Sequence, residues 1–320
     1  MTDLARTALR TVGGLVGAGV AGVAYAALVE RTWFTLRRFA VPALPPGSAP
    51  VRILQVSDLH LTPGQHRKIE WVRSLAELEP DFVVNSGDNL AHAEAVPPLL
   101  RALEPLLERP GAFVLGSNDY RGPVFKNPLS YFNHDREYVQ GVDLPFEDLR
   151  SVFLDAGWAD LNNARTVVRM GDHDVELVGV DDPHVGYDRY HAVSGQAADD
   201  VALTMGLVHA PYQRVLDAMV ADGASVVLAG HTHGGQLALP GWGALVTNCD
   251  LDTRRAKGVS RWWPGAGHTG QGGGAVPSSQ APRDAAWLHV SAGLGTSPYA
   301  PVRFACRPEA TLLTLVARDA

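Results

Sequence analysis

The sequence predicts an α/β fold: a two-sheet β-sandwich flanked by helices, four layers in the order α/β/β/α, behind a single N-terminal apolar helix. Three observations predict it. Short apolar runs alternate with stretches of helical period through the first half of the body. The second half is richer in strands and turn residues. One uncharged run near the N-terminus has about the length that crosses a bilayer.

That run, TVGGLVGAGVAGVAYAALV, lies between Arg10 and Glu30. Its small residues at spacing four (Gly13 and Gly17, Gly14 and Ala18) suit either close packing in a buried helix or a membrane helix. A single-pass anchor at the cell membrane is the preferred reading; a signal peptide is the other alternative, although no clean small-x-small cleavage site follows and no twin-arginine motif precedes the run. The membrane face stays open, because Arg6 and Arg10 on one side nearly balance Arg31, Arg37 and Arg38 on the other. The expected division is residues 1–40 as anchor and flank, 41–50 (VPALPPGSAP) as a Pro-rich connector, and 51–320 as the body.

Within the body, VRILQVS (51–57), FVVNSG (82–87) and AFVLG (112–116) read as buried strands separated by helical spacing at Ile69, Val72, Leu75, Leu78 and at Val96, Leu99, Leu103. This rhythm implies parallel strands with crossover helices. Residues 166–180 read as a hairpin around Gly171. LTMGLVHAP and SVVLAGHTHGG supply two more buried strands around a helix near 212–220. Strands near 236–239, 287–291, 302–304 and 310–316 close the chain. The Gly/Ser/Pro-rich segment 264–282 reads as a mobile surface loop.

Composition removes several function classes. The formal charge is −7 and there is no basic block, which argues against a nucleic-acid partner. The two cysteines, Cys249 and Cys306, exclude a disulfide framework or a thiolate zinc site and leave a single bridge open.

The chemistry sits at the strand ends. Ser57-Asp58-Leu59-His60, Gly87-Asp88-Asn89, Gly116-Ser117-Asn118-Asp119, Val208-His209-Ala210-Pro211 and Gly230-His231-Thr232-His233-Gly234 each close an apolar run with an oxygen or imidazole donor. Open α/β sheets place their ligands at such ends. Any one of these aspartates could be a helix N-cap, and any one histidine an ordinary core or surface residue. Five ends agreeing outweighs that. Carboxylates and imidazoles without thiolate suit Mn, Fe or Zn. Seven donors (Asp58, His60, Asp88, Asn118, His209, His231, His233) exceed one tetrahedral ion and suggest two ions sharing a carboxylate.

In the order DxH, GDN, GSND, HAP, GHTHGG, these motifs resemble the calcineurin-like metallophosphoesterase superfamily, from about residue 51 to the C-terminus. The anchor, NPLSYF (127–132), VDDPH (180–184), SAGLGTS and RPEATLLTL resemble a bacterial membrane-associated subgroup, some of whose members act on phosphodiesters or on the pyrophosphate of nucleotide-linked lipid precursors. The resemblance implies a first ion on Asp58, His60 and His233, a bridging Asp88, and a second ion on His209, His231 and an amide oxygen. The family takes that amide from the Asn of GNH[DE] and uses the following His on the leaving group. Here GSND puts Ser117 at the Asn position and Asn118 at the His position. Asn118 can move by one residue to serve as the ligand, the preferred reading since Ser is a poor neutral donor. Alternatively Asn118 hydrogen-bonds the phosphate while Ser117 or water fills the ligand position. Either way the usual general acid is missing, and leaving groups that need no proton suffer least. His184 and His92 are candidate substitutes. Asp119 is expected to fix the Asn118 loop or to orient a ligand histidine.

Other residues carry blander expectations. Asp181 and Asp182 read as a solvated turn, and His134, His173, His191 and His268 as surface residues. Trp262-Trp263 read as either an interfacial patch or packing under the Gly-rich loop. The expected activity is metal-dependent hydrolysis of a phosphodiester or pyrophosphate, with a lipid-linked substrate in view because of the anchor. Two alternatives stand beside it: a protein or monoester phosphatase of the same superfamily, and a non-catalytic scaffold that keeps the fold.

Overall fold

The computed structural model describes residues 3–125, 141–267 and 275–319. Two six-stranded sheets face each other, and helices cover both outer faces. The first sheet has the order β1-β14-β2-β3-β4-β5, formed by Thr35–Leu44, Glu309–Ala317, Val51–Val56, Phe82–Asn85, Gly111–Phe113 and Ala159–Asp160. The second has the order β12-β13-β9-β8-β7-β6, formed by Gly258–Trp262, Ala286–Val290, Val226–Ala229, Leu203–Val208, His173–Gly179 and Ala164–Met170. In the first sheet β2, β3, β4 and β5 run parallel, and in the second β7, β8, β9 and β13 do.

The period of two along each strand divides the core. Along β2, Ile53 enters the layer between the sheets with Phe82, Val84, Met205 and Leu228. Its neighbours Leu54 and Val56 point outward under α2 (His66–Ser74), α3 (Val96–Leu107) and α5 (Phe146–Asp155). Such strands are apolar on both faces because both faces are covered. On the far side Val208, Val227 and Leu288 meet Val215, Leu216 and Met219 of α6 (Gln213–Ala221).

The N-terminal helix α1 (Asp3–Ala24) continues as a π-helical turn (Tyr25–Val29) and a 3-10 turn (Glu30–Thr32). Residues Arg10–Thr32 are long and apolar enough to cross a membrane. The sheet begins earlier than the sequence predicts. Residues 35–44, read there as flank and connector, pair in parallel with β14 over nearly the whole of β1. Pro42 disguises this strand, but an edge position tolerates a missing N–H, and Val41, Ala43 and Leu44 are buried.

Further differences follow from packing. Helix α5 was not anticipated; Leu149 and Phe153 drive it into the first core cluster. The segment near 302–304 is no strand, since Phe304 makes only an isolated bridge to Leu237. Trp262 ends β12 fully buried, its indole N–H donating to Asp217 Oδ1 at 2.9 Å, so packing wins over the interfacial reading. Cys249 and Cys306 are both free thiols. NPLSYF, His134 and His268 lie outside the described residues.

Candidate metal centre

The ends of β2, β3, β8 and β9, with the turn after β4, converge at one edge of the sandwich and carry Asp58, His60, Asp88, Asn118, His209, His231 and His233. The backbone there is strained. Among the described residues ten non-glycine positions have positive φ, and five of them are Asp58 (50°), His60 (41°), Asp88 (56°), His231 (69°) and His233 (50°). Each left-handed residue costs about 1–3 kcal/mol, a cost that persists only where the surroundings dictate the geometry.

Hydrogen bonds between loops supply that constraint. Asp58 N–H donates to Gly87 O (2.9 Å), His60 N–H to Asp88 O (3.0 Å), and Gly230 N–H to His209 O (2.9 Å). The buried Asp119 carboxylate accepts from the N–H groups of Asp88 (2.9 Å), Asn89 (2.7 Å), Leu90 (3.3 Å) and Gly116 (3.0 Å). It therefore ties two candidate ligand loops together, and among the described residues none of its hydrogen bonds goes to a candidate ligand histidine. Gly116 is required by closeness: a Cβ there would come within 2.7 Å of His209 Nε2 and closer still to Asp88 Oδ1.

Two donor groups form. Asp58, His60 and His233 make one, and Asp58, Asp88 and His209 the other. His60 Nε2 and His233 Nε2 are 3.0 Å apart, and His233 Nε2 is 3.6 Å from Asp58 Oδ1. Asp88 Oδ2 lies 3.4 Å from both His60 Nε2 and His209 Nε2. The Asn118 side chain rests on Asp88 with Nδ2 2.7 Å from Oδ2, while its backbone N–H donates to Oδ1 at 2.8 Å. Ser117 Oγ is 3.5 Å from that amide. The His231 ring lies 5.3 Å from the His209 ring, and its backbone N–H donates to Asp58.

Ring orientations are set from behind. His209 Nδ1 faces Ser86 O at 2.7 Å, so Nδ1 carries a proton and Nε2 is turned toward Asp88. His233 Nδ1 lies 3.2 Å from both Gly295 O and Arg303 Nη2. Arg303 Nη2 already donates to the carbonyls of Ala292 (2.7 Å), Gly293 (3.1 Å) and Gly295 (2.8 Å), which favours Nδ1–H on His233.

Electrostatics separate the groups. Burial pushes the Asp58 carboxyl up to about 6, with the Asp88 charge adding to it. Burial lowers His60 to about 4 and holds His231 and His233 well below the usual imidazole range. Burial opposes charge on Asp88 and His209 too, yet each stabilises the other: Asp88 falls well below the carboxylate range and His209 rises well above the imidazole range.

These residues fit divalent cations. Donors bound at about 2.0–2.2 Å to one ion are roughly 3–3.6 Å apart, the spacing seen here. Among the described residues no Lys or Arg pairs with Asp58 or Asp88; the only side chains able to carry positive charge within ion-pair distance of them are histidines. His209 Nε2 is buried and has no hydrogen-bond partner among the described residues. Two buried carboxylates facing mostly neutral imidazoles call for positive charge.

Two expectations change. Asp182 is not a solvated turn: it is fully buried and feels the charges of His209 and Asp88, Oδ1 accepts from His184 N–H (2.9 Å), and Oδ2 has no hydrogen-bond partner among the described residues. It follows the end of β7, so the strand-end rule that found the other residues would have found it. Asp181 accepts from Tyr120 Oη at 2.9 Å. Of the two substitute histidines, His184 is brought in, its ring 4.5 Å from that of His231 and Nδ1 3.0 Å from Tyr212 Oη. His92 instead accepts locally from Glu94 N–H. Arg303, buried behind His233, carried no local signal in the sequence.

A family profile described as calcineurin-like phosphoesterase matches residues 51–235, more than half of the chain and the span that holds every donor just described. The chain belongs to the calcineurin-like phosphoesterase family. This phosphoesterase is 26% identical over 319 residues to the uncharacterized metallophosphoesterase YkuE of Bacillus subtilis, covering 95% of this chain and 91% of that one. It is 26% identical over 300 residues to the phosphodiesterase YaeI of Escherichia coli, covering 92% and 93%. A zebrafish transmembrane protein with a metallophosphoesterase domain is 31% identical over 62% of this chain, which spans 43% of that protein. Among solved structures, TT1561 of Thermus thermophilus aligns over 77% of this chain and 91% of its own at 14% identity and a TM-score of 0.39. The phosphoesterase is thus a metal-dependent phosphoric ester hydrolase.

Proposed function

We propose that the enzyme cleaves a phosphodiester or a pyrophosphate using two divalent ions, Mn, Fe or Zn, held by Asp58, His60, Asp88, His209, His231, His233 and Asn118. One observation carries the count of two: Asp88 Oδ2 is equidistant, at 3.4 Å, from a histidine of each donor group, the place of a bridging carboxylate. Ions bound there would supply Lewis-acid charge for the phosphoryl oxygens and lower the pKa of an attacking water.

The chain's own residues do the rest. Asp119 and the interlocked loops hold the donors fixed, so little reorganisation accompanies reaction. Turning the Asn118 amide, whose O and N are assigned rather than distinguished, presents its oxygen to the second donor group. His233, with 15% of its side chain exposed, and the half-buried Asn118 mark the open side where substrate enters. No imidazole follows the position of the family's amide ligand, which favours leaving groups that depart as stable anions. His184 is placed to protonate a poorer one.

The E. coli relative's name supports a diester substrate, and the candidate span Arg10–Thr32 with the transmembrane relatives supports an enzyme held at a membrane. A lipid-linked phosphoester is the substrate class that joins the two.

The test is hydrolysis of bis-p-nitrophenyl phosphate against p-nitrophenyl phosphate by the full chain in detergent, with and without Mn, beside Asp88→Asn. Mn-dependent diester cleavage abolished in the variant is expected. Equal or better monoester turnover would turn the assignment toward a phosphatase. Substoichiometric metal with no turnover in added Mn would leave the scaffold.

A further inference from the structure

An open pocket of about 360 Å³ lies where the N-terminal helix meets the body. That size is within the roughly 300–1,000 Å³ of small-molecule sites. Its walls include Tyr25 and Glu30 from the end of the helix, Arg37 from β1, Lys257 before β12, and Phe304 and Arg307 from the loop before β14. None of these residues belongs to the metal centre.

Three cations meet here. Arg37 Nε is 3.3 Å from Glu309 Oε2. The Arg307 guanidinium stacks 3.4 Å from the centroid of the Trp33 indole. Lys257 Nζ reaches Cys306 Sγ at 3.6 Å. Among the described residues no carboxylate lies within ion-pair distance of Lys257 or Arg307. The Glu30 carboxylate is buried and accepts the Cys306 N–H at 2.7 Å. Arg37, Lys257 and Arg307 against Glu30 and Glu309 leave one net positive charge, the complement of one phosphodiester anion.

Position selects the source of that anion. The candidate span ends at Thr32, and Tyr25 and Trp33 stand at that end. Aromatic rings mixed with Arg and Lys form the composition of a membrane–water interface. Arg303 N–H donates to Ala26 O at 3.1 Å, docking the end of the helix on the body and setting the cavity at head-group depth when the helix is in a bilayer. Resting on the membrane reading, we propose that this cavity binds the phosphate of an anionic phospholipid head group, with Lys257 and Arg307 as its charged contacts and Tyr25 and Phe304 beside the first glycerol carbons.

Native mass spectrometry of the full chain in detergent, given equal amounts of phosphatidylglycerol and phosphatidylcholine, tests it. Wild type should retain phosphatidylglycerol preferentially, and Lys257→Gln and Lys257→Glu should each lower that retention about fivefold or more with the melting temperature kept. Equal retention of the two lipids, or variants that match wild type, would overturn the proposal. Stabilisation by inorganic phosphate that depends on Lys257, without lipid preference, would assign the cavity to free phosphate and reject the lipid. Carbonate extraction of membranes reads the anchor separately, so a protein that stays embedded yet shows no lipid preference refutes the cavity alone.

Discussion

His60 Nε2 sits 3.0 Å from His233 Nε2, with the two rings stacked 4.9 Å apart, although the two residues come from opposite sheets. Burial keeps both imidazoles neutral. Two bare ring nitrogens at this distance repel unless a proton or a cation lies between them, and the Asp58 carboxylate at 3.6 Å supplies a third donor for a cation. His233→Asn should therefore reduce bound metal as well as turnover, by more than about 100-fold in rate, since even an outer partner of a ligand is worth about 10–100-fold. Elemental analysis beside kinetics checks it; full metal content with lost activity would place His233 outside the metal site.

Among the described residues Asp119 makes no hydrogen bond to a candidate ligand side chain, yet it holds the backbone of two candidate ligand loops. Asp119→Asn replaces an acceptor oxygen with N–H donors facing N–H groups. A destabilisation of about 1–3 kcal/mol, with weaker metal affinity, is expected from chemical denaturation and metal titration. Wild-type values in both would show that the four hydrogen bonds are dispensable.

Arg303 is fully buried and donates to carbonyls of Ala292, Gly293, Gly295, His233 and Cys306. Arg303→Met strands several of these acceptors and should cost about 3 kcal/mol or more. Arg303→Lys keeps the charge without the planar fork and should recover only part of the loss. A lysine variant as stable as wild type would mean charge alone matters.

His289 links stability to acid away from the metal centre. It is buried between the sheets, with Nδ1 2.7 Å from Gln55 Oε1, and burial lowers its pKa from 6.5 to about 3. Between those values the unfolded chain holds a proton that the folded chain refuses. The stability it contributes is whole above pH 6.5 and is lost as pH falls toward 3. His289→Gln should flatten the acid limb by about 2 kcal/mol at pH 5. Parallel stability curves for the two proteins would exclude the effect.

By the resemblance of GSND to GNH[DE], Ser117 and Asn118 take the Asn and His positions. The double change Ser117→Asn with Asn118→His should raise turnover of alkyl phosphodiesters relative to p-nitrophenyl esters by about 100-fold, the usual worth of a positioned general acid. An unchanged ratio would indicate that His184, 4.5 Å from His231 between ring centroids, already supplies the proton.

Much of the candidate site was legible because each candidate ligand follows an apolar strand, and a strand end is a local pattern. Asp58, Asp88 and His209 illustrate it, and Asp182 could have been added by the same rule after β7. What escaped depends on contacts far apart in sequence. Strand β1 opens with Thr35, Arg37 and Arg38 and carries Pro42, and only its pairing with β14, more than 270 positions away, identifies it. Arg303 acquires its meaning from carbonyls gathered by three separate turns. The positive φ values at Asp58, His60, Asp88, His231 and His233 were hidden because Asp and His, although enriched in the left-handed region, adopt it at only a small fraction of their positions.

The pairing of β1 with β14 decides where the protein can be cut. Trimming at the end of the Pro-rich run, just before Val51, removes a ten-residue partner and opens a row of backbone N–H and C=O groups along the last strand. Such an exposed edge invites other chains to add to it, so the trimmed protein should clump and resist concentration. A start at Trp33 keeps the edge closed and the Arg307 stack intact, and is the better beginning for a soluble version of this enzyme.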